Sequence, residues 1–427
     1  MSAQPLPTRL AWVMWGIPTL IFLIAFFHRV APGVIAKELM EAFGATGALV
    51  GLLSATYFYA YAALMIPAGL LIDALGVRRV VAAGGLVMGL GALAMSTTSS
   101  QSVLFAGRLA VGVGASVTFV GALKITTTWF PPSYFGTLSA VTATMGVLGG
   151  LLATAPLAVL VALAGWRGAF GLVALATLAL AAACFVVVRD QPEVSAPRAT
   201  PTPGLRMVLD GTRAVLANPH TWPPFLAFFC LYSATGNLML WVVPYMRDVY
   251  RLPTTRAALY ATAISLALMV AGPVTGFVSD RVVRRRKLPY TILSFCQFAL
   301  WIALVATVGS LPLGAVYALL FALGAVGGAF VLTWPIGREV NPPHLAGIAV
   351  AVVNTGGFLG AALTQGPIGA ILDARWTGAV AAGARVYPPD AYRAAFAVCA
   401  SFVLAAALLT LLFRETRGVN IYHALRR

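Results

Sequence analysis

Charge is scarce in this sequence, and negative charge scarcest: 12 aspartates and glutamates stand against 28 lysines and arginines in 427 residues. Charged residues make up 9% of the chain and hydrophobic ones 60%, too little polar surface to clothe a water-soluble globule. Cysteine is equally rare. Cys184, Cys230, Cys296 and Cys399 all fall in apolar runs without CxxC spacing, which excludes a disulfide framework or a metal cluster and leaves them as packing residues. Histidines 28, 220, 344 and 423 are scattered, and no GxSxG, HExxH or phosphate-binding loop is present. A membrane enzyme needs clustered nucleophiles or metal ligands, so no enzymatic activity, metal or cofactor is expected; a self-contained ATP-driven pump is excluded as well.

Long apolar runs are what the chain has in abundance. A span needs roughly 20 residues, and the hydropathy predicts spans near 10–36, 48–71, 80–98, 102–127, 136–163 and 168–188, then 222–246, 257–279, 288–309, 312–336, 347–372 and 391–413. The expected fold class is therefore an all-α membrane protein of twelve transmembrane helices. The first run is too long for a signal-peptide core and is read as a retained helix.

The net charge of +16 does not point to nucleic acid, because the cations are strung between spans instead of gathered on one face. Arg9, Arg78, Arg79, the arginines of 189–213, the run Arg281 to Lys287, and Arg414, Arg417, Arg426 and Arg427 fall on one side. Fewer cations, among them Lys37, Arg167, Arg247 and Arg385, fall on the other. The positive-inside rule then places both termini in the cytoplasm of a bacterial inner membrane.

A polar interruption with Pro192, Pro197, Pro201, Pro203 and Gly204 divides the chain into 1–188, a cytoplasmic linker at 189–221, and 222–427 with a cytoplasmic tail. Within the linker, Leu205, Val208, Leu209 and Leu216 stand at helical spacing between arginines. That pattern fits either an amphipathic helix on the membrane surface or a solvated connector.

The halves share a landmark. Gly69 and Asp73, followed by Gly76, Arg78 and Arg79, close the second span; Gly276 and Asp280, followed by Arg281 and Arg284 to Arg286, close the eighth. Each places a small residue where two helices can touch, an acid at the membrane edge and cations in a short loop. The arrangement suits a conformational latch of Gly69, Asp73, Arg78 and Arg79 with Gly276, Asp280, Arg284 and Arg285.

In this doubled motif the sequence resembles the major facilitator superfamily, over essentially its whole length, from Trp12 to Phe413. The resemblance implies two pseudo-symmetric six-helix bundles rocking about a central site, which opens alternately to each side. A narrower resemblance is carried by Phe27-His28-Arg29-Val30, Arg108 with Gly112 and Gly114, Trp129-Phe130-Pro131-Pro132 and Gly165-Trp166-Arg167. These look like the organic-anion branch, the anion:cation symporters. Tyr134-Phe135-Gly136 departs from it where an acidic or basic pair and glycine are usual.

Charges inside spans are costly and mark function. Arg29, Arg108 and Lys124 are such cations, whereas every carboxylate lies at a span end, in a loop or in the linker. Cations without resident acids favour an arriving anion, which a guanidinium can grip bidentately. Arg29 has a structural alternative, bonding carbonyls freed by Pro32 and Gly33. In the resembled family the arginine at the position of Arg108 is linked to proton or substrate coupling, and helix bracing is its alternative. Lys124 lies close enough to the cytoplasmic end to snorkel, and His28 could carry a proton or sit buried in packing. In the second half Asn237, Trp241 and Tyr245 share one helix face, and Tyr232, Gln297, Asn354 and Gln365 add uncharged polar groups.

The expectation is a secondary transporter that takes up a small carboxylate-type anion, with a proton as a possible companion, and works as a monomer in the bilayer. The alternatives are a proton-coupled exporter of drugs or metabolites, and uptake of amino acids or a carboxylate metal chelate such as a siderophore. Exporters of that kind carry glycine-proline-glycine in the fifth span and an acid within the membrane. Here Gly146, Gly149 and Gly150 precede Leu151 and Leu152, Pro156 is displaced and the acid is missing.

Overall fold

A computed structural model describes residues 9–131, 134–191 and 205–425. Pro132, Glu193, the linker prolines with Gly204, and Arg426 and Arg427 lie outside the described residues. Among the described residues twelve helices are long and apolar enough to cross a membrane. Helices are what such runs must form, since lipid offers no partner to a backbone N–H or C=O. Leu163, Val186, Phe277 and Leu412 are among many large apolar side chains left exposed, as a lipid-facing surface requires.

The first span is Arg9–Val34, followed by Gly47–Leu75, Val77–Thr97 and the broken fourth span Gln101–Ser116 plus Thr118–Trp129. The fifth begins as Phe135–Leu152 and breaks at Ala153 and Thr154. The next helical ribbon, Ala155–Val187, is 33 residues long, too long for one span of a core about 30 Å thick. Gly165, at φ 69° and ψ 165°, divides it. The fifth span therefore runs to 164 and the sixth occupies 166–187. The remaining spans are Trp222–Asp248, Thr254–Phe277, Lys287–Ala306, Leu313–Glu339 with a 3₁₀ turn at Gly328–Leu332, Ala346–Ala374 and Pro389–Leu411.

Two small elements depart from the expected spans. The predicted first span stops short of residue 36, and Ala36–Phe43 forms its own helix, closed by Gly44 in the left-handed region at φ 60°. A two-stranded hairpin pairs Val380–Ala381 with Ala384–Arg385 before the last span.

By packing, the chain forms two units. The first comprises residues up to Ala31 together with Tyr59–Pro203, and the second comprises Pro32–Phe58 and Gly204–Arg427. Within the first unit the third span packs on the fourth through glycines. A Cβ on Gly114 would lie 2.2 Å from the Gly84 carbonyl, and one on Gly107 2.7 Å from that of Gly91. Within the second unit the seventh span packs against the eleventh and twelfth, and the eighth against the tenth.

The linker helix Leu205–Ala217 lies on the eleventh span, where Val215 meets Ala349 and Val352. Its buried face is Val208, Gly211 and Val215; Leu209 and Leu216, expected on the apolar side, are exposed. Successive residues turn by about 100°, so positions 209 and 216 stand beside the buried stripe instead of in it.

Candidate functional site

On the first span the site begins with Pro32. Lacking an N–H, this proline cannot serve the carbonyl four residues back in its helix, that of His28. Arg108, fully buried on the fourth span, fills the vacancy: its Nη1 donates to the His28 carbonyl at 2.7 Å. Bonding to a freed carbonyl was the structural alternative for Arg29; at the His28 carbonyl Arg108 is a donor.

Arg29 is also buried, at 8% exposure, but its surroundings are aromatic. The guanidinium carbon lies 3.9 Å from the Phe26 ring centre and 5.0 Å from that of Tyr61. Ring faces are the apolar surroundings that best tolerate a cation. His28 is fully buried, edge-on to Phe27 and Phe170, and neither ring nitrogen has a hydrogen-bond partner among the described residues.

Lys124 differs from the expectation. Its ammonium lies 2.6 Å from Asp73 Oδ1, with both side chains partly exposed, so this cation has a resident acid. The pairing also joins Lys124 to the acid of the first glycine-to-acid motif. There Arg78 donates its backbone N–H to Asp190 Oδ1 at 2.9 Å and its Nε to the Phe185 carbonyl, while Arg79 is exposed. In the second motif Asp280 pairs with Arg286, which also approaches Glu339 at 3.4 Å. Arg284 and Arg285, expected as the partners, are exposed, because the chain turns at Arg284 with φ 52° and carries both away. Gly69 and Gly276 do not make the expected helix contact: an added Cβ on either meets no atom within 4 Å.

In the second unit Asn237 is fixed by two donations, to the Ser233 carbonyl at 2.8 Å and to Thr364 Oγ1 at 2.9 Å. Its Oδ1 thereby remains an acceptor with no partner among the described residues, and the buried Gln365 Oε1 is another. Trp241 and Tyr245 continue the Asn237 face but are taken up in ring packing. Trp241 meets Tyr387, and Tyr245 meets Tyr250, Tyr392 and Phe396. Asn354 accepts from Trp334 Nε1 at 2.9 Å. Tyr232 packs with Phe58, Phe228, Phe330 and Phe358, and Gln297 is buried.

A second group of charges was not anticipated. Lys37 donates to Asp248 Oδ2 at 2.6 Å, and both side chains are 4% exposed. The same oxygen accepts from the Tyr392 hydroxyl at 2.8 Å and the Tyr387 N–H at 3.1 Å. Burial pushes the Lys37 ammonium below the usual lysine range, and Asp248 opposes that shift. Beside the pair, Glu38 meets Arg247 at 2.7 Å. A signal was present in the sequence: Lys-Glu follows the first span of one half and Arg-Asp ends the first span of the other. Among the described residues inside the spans, every carboxylate falls near a span end, and no group of His, Cys, Asp and Glu could hold a metal ion.

The sequence matches the Major Facilitator Superfamily over residues 19–365. It is 26% identical over 279 residues to the probable sulfoacetate transporter SauU of Cupriavidus necator, spanning 63% of this chain and 65%, just under two thirds, of that relative. It is 22% identical to the probable galactarate/D-glucarate transporter GudP of Bacillus subtilis, covering 85% of this chain and 86% of that one. Among solved structures, an inward-facing, unoccupied bacterial homolog of the human lysosomal transporter Spinster superposes with a TM-score of 0.79 at 16% identity. That match covers 95% of this chain and 97% of the other, and shows the fold alone.

Proposed function

The chain belongs to the major facilitator superfamily, and from that premise we propose that it is a secondary active transporter for a small carboxylate-type organic anion, working in uptake by alternating access. The observation that carries the reading is Arg29, a cation of the first span buried against the rings of Phe26 and Tyr61, in a protein whose spans, among the described residues, hold no acid away from their ends. A permanently charged guanidinium costs free energy in such surroundings, and a carboxylate binding in its plane recovers part of that cost. The relatives support the same class, since SauU is described as a probable sulfoacetate transporter and GudP as a probable galactarate/D-glucarate transporter, and all three solutes are organic anions.

The other candidates take different parts. Arg108 holds the first span in shape through the His28 carbonyl, and Lys124 serves the latch with Asp73. Asn237 Oδ1 and Gln365 Oε1 are acceptors suited to hydroxyl donors on the substrate, as galactarate would supply. Trp241, Tyr245 and Asn354 act in packing around them. The excess of cations on one side supports a bacterial inner membrane with both termini in the cytoplasm.

Flux into proteoliposomes tests the reading. Arg29→Gln is expected to raise KM for the transported anion at least tenfold; an unchanged KM overturns the assignment. Coupling is read in the same vesicles under imposed pH and potential gradients. A rate indifferent to the pH gradient excludes proton symport and leaves anion exchange.

A further inference from the structure

The linker helix Leu205–Ala217 lies outside the spans, yet it exposes large apolar side chains. Leu209 is 59% exposed and Leu216 39%; Trp222, whose indole N–H donates to the Leu216 carbonyl at 3.0 Å, is 41% exposed beside them. The helix cannot roll to hide this flank. Its inner stripe is fixed on the eleventh span by Val215 against Ala349 and Val352 and by Gly211 against Ile348 and Leu345. Its end is tied down as well. Asn218 donates to the Val340 carbonyl and to Asn341 Oδ1, both at 2.9 Å, and the Thr221 hydroxyl donates to the Val215 carbonyl at 2.9 Å.

Depth follows from what the helix rests on. The eleventh span, Ala346–Ala374, has 29 residues and is about 43 Å long, the thickness of a bilayer with its headgroups. The contacts are made by Leu345, Ile348, Ala349 and Val352, over its first two turns, so the linker helix lies at headgroup level. Around its axis the side chains are sorted as that layer is. At about 100° per residue, Arg213 and Arg206 stand about 40° and 60° beyond Leu209, and Asp210 about 100° beyond it. Apolar groups thus face one way, the cations come next and the one acid of the helix stands beyond them. Hydrocarbon, phosphate and water succeed one another in the same order at a membrane surface. Both arginines are exposed, and neither has an ion-pair partner among the described residues.

We infer that this flank, Leu209, Leu216 and Trp222 with Arg206 and Arg213, is a docking surface for anionic phospholipid in the leaflet next to the linker. Two free guanidiniums beside an apolar flank complement a headgroup of net negative charge, whereas a zwitterionic headgroup brings its own cation and gains less. The surface is separate from the substrate reading above and holds whatever the chain transports. Because the helix is fixed to the eleventh span and, through Asn218 and Asn341, to the residues that follow the tenth, lipid bound here braces both spans on that side.

The test places bimane on Leu209→Cys in the full chain. Cys296, exposed, is replaced by serine, whereas Cys184, Cys230 and Cys399 are buried and stay. The protein is reconstituted in vesicles of equal parts phosphatidylcholine and phosphatidylglycerol, with bromine on the acyl chains of one lipid or of the other. Bromine quenches on contact, so the two preparations report which lipid sits against residue 209. Quenching by brominated phosphatidylglycerol is expected to be at least twofold that by brominated phosphatidylcholine. The two should become equal in Arg206→Gln/Arg213→Gln, and the excess should be kept in Arg206→Lys/Arg213→Lys. Equal quenching in the parent means lipid contact without selection by charge and overturns the surface. Quenching by neither lipid puts water, a second copy or another protein on the flank and overturns it too. An excess that survives in the glutamine variant refutes the role of the arginines. Anion flux enters none of these readouts, so a failure of the transport reading leaves them standing.

Discussion

Arg29, Arg108 and Lys124 are indistinguishable in a hydropathy plot, yet each has a different neighbour. One faces aromatic rings, one serves a carbonyl orphaned by proline, and one meets an acid 51 residues away. That these residues call for partners was legible in the sequence, because a charge inside an apolar run needs a reason. Which reason applies was not, since each partner comes from another span. Removing Arg108 should therefore act on stability: Arg108→Met leaves a buried acceptor unsatisfied, at a cost of roughly 1–3 kcal/mol, read as a lowered unfolding temperature in detergent. Lys124→Gln, with Asp73 partly exposed, should cost less than about 1 kcal/mol in the same measurement and leave KM unchanged.

At the scale of elements, the twelve apolar runs were legible because lipid-spanning backbone has few alternatives to the helix. The breaks at Val117, at Ala153 and Thr154, and the separation of Ala36–Phe43 from the first span were not, as composition runs unchanged through them. The glycines were legible only as a class. Gly149 and Gly69 look alike in sequence, but an added Cβ meets the Leu23 carbonyl at 2.0 Å in the first case and nothing in the second. Gly149→Ala should destabilise by about 1–3 kcal/mol through overpacking. Gly69→Ala should be neutral or stabilising by up to about 1 kcal/mol. Parallel melts of the two variants check the contrast, and equal losses would refute it.

Across the whole molecule, the division into six and six spans and the repeated glycine-to-acid motif were enough to suggest the superfamily, which the match over residues 19–365 shows. The charge doublets Lys37-Glu38 and Arg247-Asp248 went unread because their pairing spans 211 residues for Lys37 and Asp248. An anion that binds the folded protein raises its unfolding temperature by mass action. A panel of short carboxylates, hydroxy acids and sulfonates should yield a stabilising compound whose effect is lost in Arg29→Gln and kept in Lys124→Gln. Loss in both, or in neither, would reassign the site.

The bond from Arg108 to the carbonyl that Pro32 leaves vacant makes two distant positions hostage to each other. Alanine at 32 would return an N–H to the first helix, and the guanidinium would become redundant as a donor there. Arg108→Met should then cost less in a Pro32→Ala background than in the parent, a positive coupling measurable as a double-mutant cycle. In descendants of this chain the arginine and the proline should accordingly be inherited, or discarded, together.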